Sequence, residues 1–579
     1  MVTWNIRYDR WKNDKELDKG LKKQLQQIEN DESMLEDAFF SNLTFGTGGI
    51  RGVLGVGTNR LNIYTIRKAV KGLSIYLEQN QVNIHDRGVV IAYDSRHMSK
   101  EFAIECAKVL GTHQIKAYVF EDIRPTPLLS FAVRYLGAAA GIVITASHNP
   151  PDYNGFKVYN EAGSQISFYE ANKIISYIEQ IGDELQIQVM EKTELESRQL
   201  LQWVNGEVDN AYLEQLIKIS KMTDEELQLK KDLKIVFTPL HGTALSLVKK
   251  GLNQLNFQNV YYVEEQLTPD PEFSTVELPN PEEEQAFQMA KQLGVKQGAD
   301  LLLATDPDAD RLGVAVKNNL GEYVVLTGNQ LGVLLLDYIL HRSEETQLKN
   351  ARMIKTIVTT ELGRAVADYY GVKTIDTLTG FKYIGEKINE YDSTGETFVF
   401  GFEESNGYLI NSFARDKDAV QAVVMACEMA QYWKDNGKTL LDVLDDLYKR
   451  HGFYKETLKS FSLEGIEGKR QIDQIISEMR NNNFNYVGDY KVHYKEDYLL
   501  GKRTFVKDNS EETLQLPKEN VIKYVLDDGG WFCVRPSGTE PKIKWYFGMI
   551  GSNSEMVNEK MQVVENLMEE MMNLRKVNK

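Results

Sequence analysis

"RGVVIAYDS" (87–95), "EFAIECAKVL" (101–110), "QIKAYVF" (114–120), "LLSFAVRYL" (128–136) and "GIVITAS" (141–147) follow one another with short spacers between them. The first, third and fifth are short apolar runs. The second and fourth place their apolar residues at helical spacing. This alternation predicts βα units on a largely parallel sheet.

The pattern returns after the charged stretch "TDEELQLKKD", in "LKIVFTPLHG", "NVYYVEE" and "ADLLLATD". It returns again in "RMIKTIVTTELG", "VKTIDTLTGFKYIG" and "TFVFGFEESNG". We expect three successive α/β domains with mixed, largely parallel sheets, at 1–205, 206–325 and 326–455, without a strong sequence repeat among them. Residues 456–579 differ. Two strand-like runs flank Asp527-Asp528-Gly529-Gly530, a third follows a loop, and the helical "SEMVNEKMQVVENLMEEMMNLRK" comes after. That order predicts a smaller C-terminal α+β domain.

At 579 residues the chain exceeds one core, and 42% hydrophobic with 26% charged residues is ordinary for a globular protein. A net charge of −17 argues against nucleic acid, so any phosphate must be held by local cationic pockets. Cys106, Cys427 and Cys533 match no zinc or disulfide spacing, which predicts reduced, buried thiols. The polar start "MVTWNIRYDRWKNDKELDKG" has no signal-peptide core, and no run approaches the roughly 18 apolar residues of a membrane span. We expect a cytoplasmic protein without membrane partners.

Functional loops of open α/β sheets lie at the carboxyl ends of strands. "TASHNP" (145–150) ends one such strand and is stopped from continuing as a helix by Pro150 and Pro151. It reads as a hydrolase serine, a phosphate carrier or a plain ST- or Asx-turn. The hydrolase fails, because the stretch is not G-x-S-x-G. His148 is expected to be poorly placed as base for Ser147, since neighbouring side chains diverge on extended backbone.

"TDPDADR" (305–311) crowds Asp306, Asp308 and Asp310 on one loop after an apolar strand. Such carboxylates repel unless a cation lies among them, and all-oxygen ligation suits Mg²⁺. An EF-hand is excluded, because its sixth position would be Arg311 and its twelfth Lys317. A phosphate oxygen would complete the ion's ligands.

"RPSGTEPK" (535–542) offers Arg535, Ser537, Gly538 and Thr539 as an anion nest, or else a hairpin turn. "GFEES" (401–405) supplies acceptors for sugar hydroxyls, and Arg415 and Lys417 downstream can reach a phosphate. "FGTGGIRG" (45–52) is neither a dinucleotide fingerprint nor a P-loop, but a glycine-rich loop presenting Arg51 can stabilise a transferring phosphoryl group.

Taken together, "TASHNPPDYNGFK", "DPDADR", "GFEESNG" and "RPSGTEP", in this order, resemble the α-D-phosphohexomutase superfamily over essentially the whole chain. "FGTGGIRG" and "TGFKYIG" (379–385) fit the likeness too. The length and the E-E-S sugar loop are most similar to the phosphoglucomutase branch and its long subgroup, which includes phosphopentomutases. Where shorter phosphomannomutase-type members read G-E-x-S-G, Glu403 and Ser405 match, and the two glycine positions hold Phe402 and Asn406.

The resemblance implies three α/β domains and a fourth α+β domain around a central cleft. It implies a mutase of small sugar phosphates acting through Mg²⁺ and a glucose 1,6-bisphosphate intermediate, with phosphopentomutase or phosphomannomutase as the alternatives. Ser147 would carry the phosphoryl group and join Asp306, Asp308 and Asp310 at the metal. Arg51 and Arg311 would steady the moving charge, and Lys157 and His148 would transfer the proton. Thr379, Glu403 and Ser405 would hold sugar hydroxyls. Arg535, Ser537, Gly538 and Thr539, with Lys417, would hold the other phosphate. A sugar-phosphate binder and a metal-dependent phosphatase are the rival functions.

Overall fold

The structure is a computed structural model that describes residues 4–46, 48–463, 465–537 and 542–573. The chain forms two compact units. One comprises Met1–Gly328, Phe381–Gly401 and Ser405–Gly437; the other comprises Asn329–Gly380, Phe402–Glu404 and Lys438–Lys579.

The first unit opens with the helices Trp4–Asn13, Lys19–Ile28 and Glu32–Phe39. Asp18 and Asp31 accept amide hydrogens at the starts of the second and third, satisfying donors that a helix end leaves open. Their apolar faces meet around Trp11, Phe39 and Tyr64.

A six-stranded sheet follows, in the order Gly49–Val53, Tyr153–Asn160, Ala140–Ile144, Val89–Tyr93, Ala117–Phe120, Leu201–Val204. The last four run parallel, as the βα alternation requires. Every residue of Val89–Tyr93 and Ala140–Ile144 is buried, which explains their unbroken apolar sequence. Tyr153–Asn160 was not legible as a strand. It returns antiparallel to Ala140–Ile144 after the corner at Ser147, and pairs on its other side with Gly49–Val53.

A second sheet runs Tyr323–Val325, Leu312–Lys317, Leu301–Thr305, Ile235–Thr238, Val260–Tyr262. Its last three strands are parallel, and the hairpin built on Leu312–Lys317 makes it mixed.

In the second unit, Ala351–Thr356 and Lys373–Thr377 pair in parallel across the helix Leu362–Tyr369. The C-terminal part is an antiparallel sheet ordered Phe453–Ser462, Lys542–Gly551, Trp531–Pro536, Ile522–Leu526, Tyr490–Asp497, Lys502–Phe505, Glu511–Thr513. Its core gathers Ile475, Phe532, Trp545, Phe547 and Val557 with apolar residues of the helices Gly465–Asn481 and Ser554–Asn573. Only the three strands around Asp527–Gly530 were foreseen. The others are polar enough on one face to hide the signal. Among the described residues no helix is long and apolar enough to cross a membrane.

Candidate active site

Ser147 lies three residues past the strand Ala140–Ile144 and is 3% exposed. Its φ of +51° puts it in the left-handed region, uncommon for a residue with a side chain. Its amide donates to Thr145 Oγ1 at 2.8 Å, and its Oγ donates to Asp306 Oδ2 at 2.6 Å. His148 Nδ1 stands 3.2 Å from the same Oγ. This corrects the expectation that the two side chains diverge. That expectation assumed extended backbone, and the left-handed turn at Ser147 swings the neighbours onto one side.

The aspartate loop follows the fully buried strand Leu301–Thr305. Asp306, Asp308 and Asp310 are at most 2% exposed, and each offers a carboxylate oxygen within 4.8 Å of the others. Asp306 Oδ1 accepts the amides of Asp310 (3.0 Å) and Arg311 (2.9 Å), a closure made possible by Ala309 at φ +54°. Thr126 Oγ1 and Lys157 Nζ each donate to Asp308 Oδ2 at 2.8 Å.

The loop is braced from behind. Thr243 donates from its amide (2.9 Å) and its Oγ1 (3.0 Å) to the Pro307 carbonyl. Gly242 comes so close that an added Cβ would lie 2.5 Å from Pro307 Cα.

Asp308 Oδ1 and Asp310 Oδ1 are buried without hydrogen-bond partners among the described residues. Two such oxygens beside a third carboxylate could hold a hard divalent cation. The electrostatics agree. Burial, then the charges of Asp308 and Asp310, hold the Asp306 carboxyl well above the usual range. Asp308 is held below its ordinary range: burial opposes this, but Lys157 and the hydrogen bonds of Asp306, Lys157 and Thr126 outweigh it.

Cations surround the cluster. Lys157, on the strand Tyr153–Asn160, lies 3.5 Å from Asp310 as well as against Asp308. Burial lowers its pKa, and these two carboxylates more than reverse the effect. Lys417 stands 3.2 Å from Asp310 and 3.4 Å from Asp416, so the structure puts it beside the aspartates. Arg311 pairs with Glu282 and donates to the Ser405 carbonyl at 2.8 Å. Arg51 donates to Asn149 Oδ1 at 2.7 Å. Burial, then the charges of Arg311 and Arg51, depress the His148 imidazole well below its ordinary pKa.

Sequence reasoning missed Arg96. Its guanidinium donates to the carbonyls of Ser147 (2.6 Å), Pro150 (2.7 Å), Tyr153 (3.0 Å) and Asn149. Asp94 accepts the Arg96 amide at 2.9 Å and the Ser99 hydroxyl at 2.7 Å. The signal was available: "DSR" (94–96) directly follows the buried strand Val89–Tyr93, where functional loops belong.

The second unit holds other candidates. Glu403 ends the strand Thr397–Glu403 and accepts the Gly380 amide at 2.8 Å, next to Thr379, whose buried Oγ1 has no hydrogen-bond partner among the described residues. Arg535 places Nε (3.1 Å) and Nη2 (2.6 Å) on Glu519 Oε1. The Ser537 amide donates to the Lys542 carbonyl at 2.7 Å, closing the base of its loop. Gly538 and Thr539 lie outside the described residues.

Comparison with known proteins matches the chain to four models of one family. These are phosphoglucomutase/phosphomannomutase α/β/α domain I over residues 42–184, domain II over 210–321, domain III over 327–451 and the C-terminal domain over 497–565. A phosphoglucomutase of Staphylococcus aureus (strain bovine RF122 / ET3-1) is 42% identical over 91% of this chain and 93% of that protein. The phosphoglucomutase of S. aureus strain MRSA252 is 43% identical over 89% of this chain and 90% of that one. Among solved structures, Paramecium pp63/parafusin (phosphoglucomutase), open form, matches with TM-score 0.68 and 17% identity over 92% of this chain and 94% of that one. A phosphomannomutase of Thermus thermophilus matches with TM-score 0.67 and 21% identity over 91% and 99%. These two likenesses concern the fold.

Proposed function

The chain belongs to the phosphoglucomutase/phosphomannomutase family, and from that premise we propose that it is a phosphoglucomutase interconverting α-D-glucose 1-phosphate and glucose 6-phosphate. The observation that carries this reading is the 2.6 Å contact of Ser147 Oγ with Asp306 inside three buried carboxylates. A hydroxyl in that position can carry a phosphoryl group only if positive charge offsets four negative groups.

Asp306, Asp308 and Asp310 would hold Mg²⁺ together with an oxygen of the phosphorylated Ser147. Bound there, the ion supplies charge neutralisation for the travelling group.

Phosphorylated Ser147 gives its phosphoryl group to the free hydroxyl of the sugar phosphate. The P–Oγ bond breaks, a bond from phosphorus to the sugar oxygen forms, and the hydroxyl proton leaves to a base. His148, held neutral, is the candidate for that base, and Lys157, held as a cation by Asp308 and Asp310, is the candidate to protonate the Oγ that leaves. The glucose 1,6-bisphosphate so formed turns round, and Ser147 takes back the other phosphate by the reverse steps.

Arg51 and Arg311 steady the moving charge, while Thr379, Glu403 and Ser405 hold sugar hydroxyls. Arg535, Ser537, Gly538 and Thr539 grip the phosphate that is not reacting, with Lys417 as a further cation. Positioning and charge neutralisation supply the rate, so water must be kept from the phosphoserine. Three free, buried cysteines support a reducing compartment, and we read the protein as cytoplasmic.

The test is formation of glucose 6-phosphate from α-glucose 1-phosphate with Mg²⁺ and trace glucose 1,6-bisphosphate, wild type beside Ser147→Ala. Turnover is expected to fall to background in the variant. Mannose, N-acetylglucosamine, ribose and deoxyribose 1-phosphates are run in parallel. Preference for a pentose would keep the mechanism and change the substrate. Phosphate release without isomerisation of any sugar would overturn the mutase.

A further inference from the structure

Arg96 touches neither Ser147 Oγ nor the aspartate carboxylates, yet its guanidinium is spent on the loop that carries the serine. Nη2 donates to Ser147 O and Asn149 O, and Nη1 to Pro150 O and Tyr153 O. Four acceptors within seven residues consume all the terminal N–H groups of one planar fork. A lysine, with three donors on a single nitrogen and no fixed plane, cannot reproduce that set.

The fork itself is held still. Asp94 Oδ2 lies 3.5 Å from Nε, and both side chains are fully buried. Asp94 Oδ1 is fixed by the Arg96 amide and by Ser99, whose hydroxyl accepts from Asn154 Nδ2 at 2.9 Å. The ring of Phe273 lies 4.9 Å from the guanidinium carbon. On the far side of the loop Arg51 takes the side chain of Asn149, the residue whose carbonyl Arg96 holds.

We propose that Arg96 is a positioning residue for phosphoryl transfer: it clamps the Ser147 loop by its carbonyls and so keeps the serine in the strained conformation that aims Oγ at the aspartates. This rests on the phosphoserine reading given above. A side-chain-bearing residue at φ +51° persists only where its surroundings over-determine it, and the clamp supplies that constraint. Releasing it lets Ser147 relax toward negative φ, which carries Oγ away from Asp306. Sugar binding uses other groups, so the defect falls on the chemical step and not on substrate affinity.

The experiment uses the full chain with Mg²⁺ and glucose 1,6-bisphosphate, comparing wild type, Arg96→Lys and Arg96→Ala. For each it measures kcat, KM for glucose 1-phosphate, Tm, and the fraction of Ser147 phosphorylated by intact mass. In folded Arg96→Lys, kcat is expected to fall about 100-fold, the scale of an ångström-sized misplacement, with KM within about threefold and a lower phosphoserine fraction. Guanidinium ion added to Arg96→Ala is expected to restore kcat about tenfold, a rescue that a merely structural role would not give. Unchanged kcat and phosphoserine in Arg96→Lys, or no rescue of a folded Arg96→Ala, overturns the clamp. A wild type that isomerises no sugar phosphate instead overturns the phosphoserine reading on which the clamp depends.

Discussion

The surroundings of Ser147 and those of Arg535 are built in opposite ways. Around Ser147 the charged groups are buried and cross-braced: Asp306 takes two backbone amides, Asp308 takes Thr126 and Lys157, and Arg96 fixes the loop. Among the described residues Arg535 rests its fork on the carboxylate of Glu519, with side chains 32% and 24% exposed, and Tyr546 lies beside it. The first region, on our reading, must neutralise a phosphoryl group in flight, and groups fixed in advance do so without reorganising. The second, on our reading, must take and release a phosphate. A cation parked on an exchangeable carboxylate suits that work, since the leaving acid can return to water.

Asp308→Asn attacks the braced region directly and carries the largest expected effect. It removes a carboxylate from the cluster and the partner of Lys157, and turnover should fall about 10³-fold. Calorimetric titration with Mg²⁺ should lose affinity in parallel. Undiminished metal binding would remove the triad from the account.

Burial in the first unit also predicts a pH response. Asp418 is fully buried, caps the helix Ala419–Asp435 and accepts from the Tyr212 hydroxyl at 2.7 Å. Burial pushes its carboxyl up to about 6, with the Gln421 and Tyr212 donors pulling back. A raised carboxyl stabilises the fold below its unfolded pKa, and that stability is lost as pH rises through the folded value. Relative to Asp418→Asn, the wild type should therefore lose up to about 3 kcal/mol between roughly pH 4 and pH 6, at about 1.36 kcal/mol per unit. Urea unfolding at several pH values measures it. A constant gap between the two proteins would contradict the burial argument.

The Arg535 region should answer more mildly. Arg535→Ala is expected to cost about 2–3 kcal/mol of sugar-phosphate binding, roughly 30- to 150-fold in KM, with the fold intact. A change in Tm alone would place Arg535 outside the site. Glu519→Gln sharpens the point: it frees the fork, so KM should fall by no more than a few-fold, in line with about 0.2–1 kcal/mol for a solvent-accessible pair. A rise in KM would mean that Glu519 orients Arg535 and does not compete for it.

Much of the fold and part of the site were legible because they rest on local pattern. Apolar runs such as "LLLAT", short and bounded by turn residues, read as buried strands, and the candidate site residues follow where those strands end. Three aspartates at alternate positions repel one another in any fold, so the triad could be read from spacing alone. The strand Tyr153–Asn160 was hidden by Pro150, Pro151 and Asn154, which read as loop, and it forms only because Ala140–Ile144 and Gly49–Val53 offer it edges on both sides.

By itself, then, the sequence determined the alternation of elements, the acidic character of the chain and the residue types at each loop. These follow from hydrophobic burial and charge repulsion between near neighbours. Only the tertiary structure decided which loops meet. It set Ser147 against an aspartate 159 positions away, swung His148 onto the serine by a backbone angle, and drew Lys417 to Asp310. It also made Arg96 a clamp. Hydrogen bonds to backbone carbonyls leave no trace in residue identity, since every residue has a carbonyl and only the fold says which ones face an arginine.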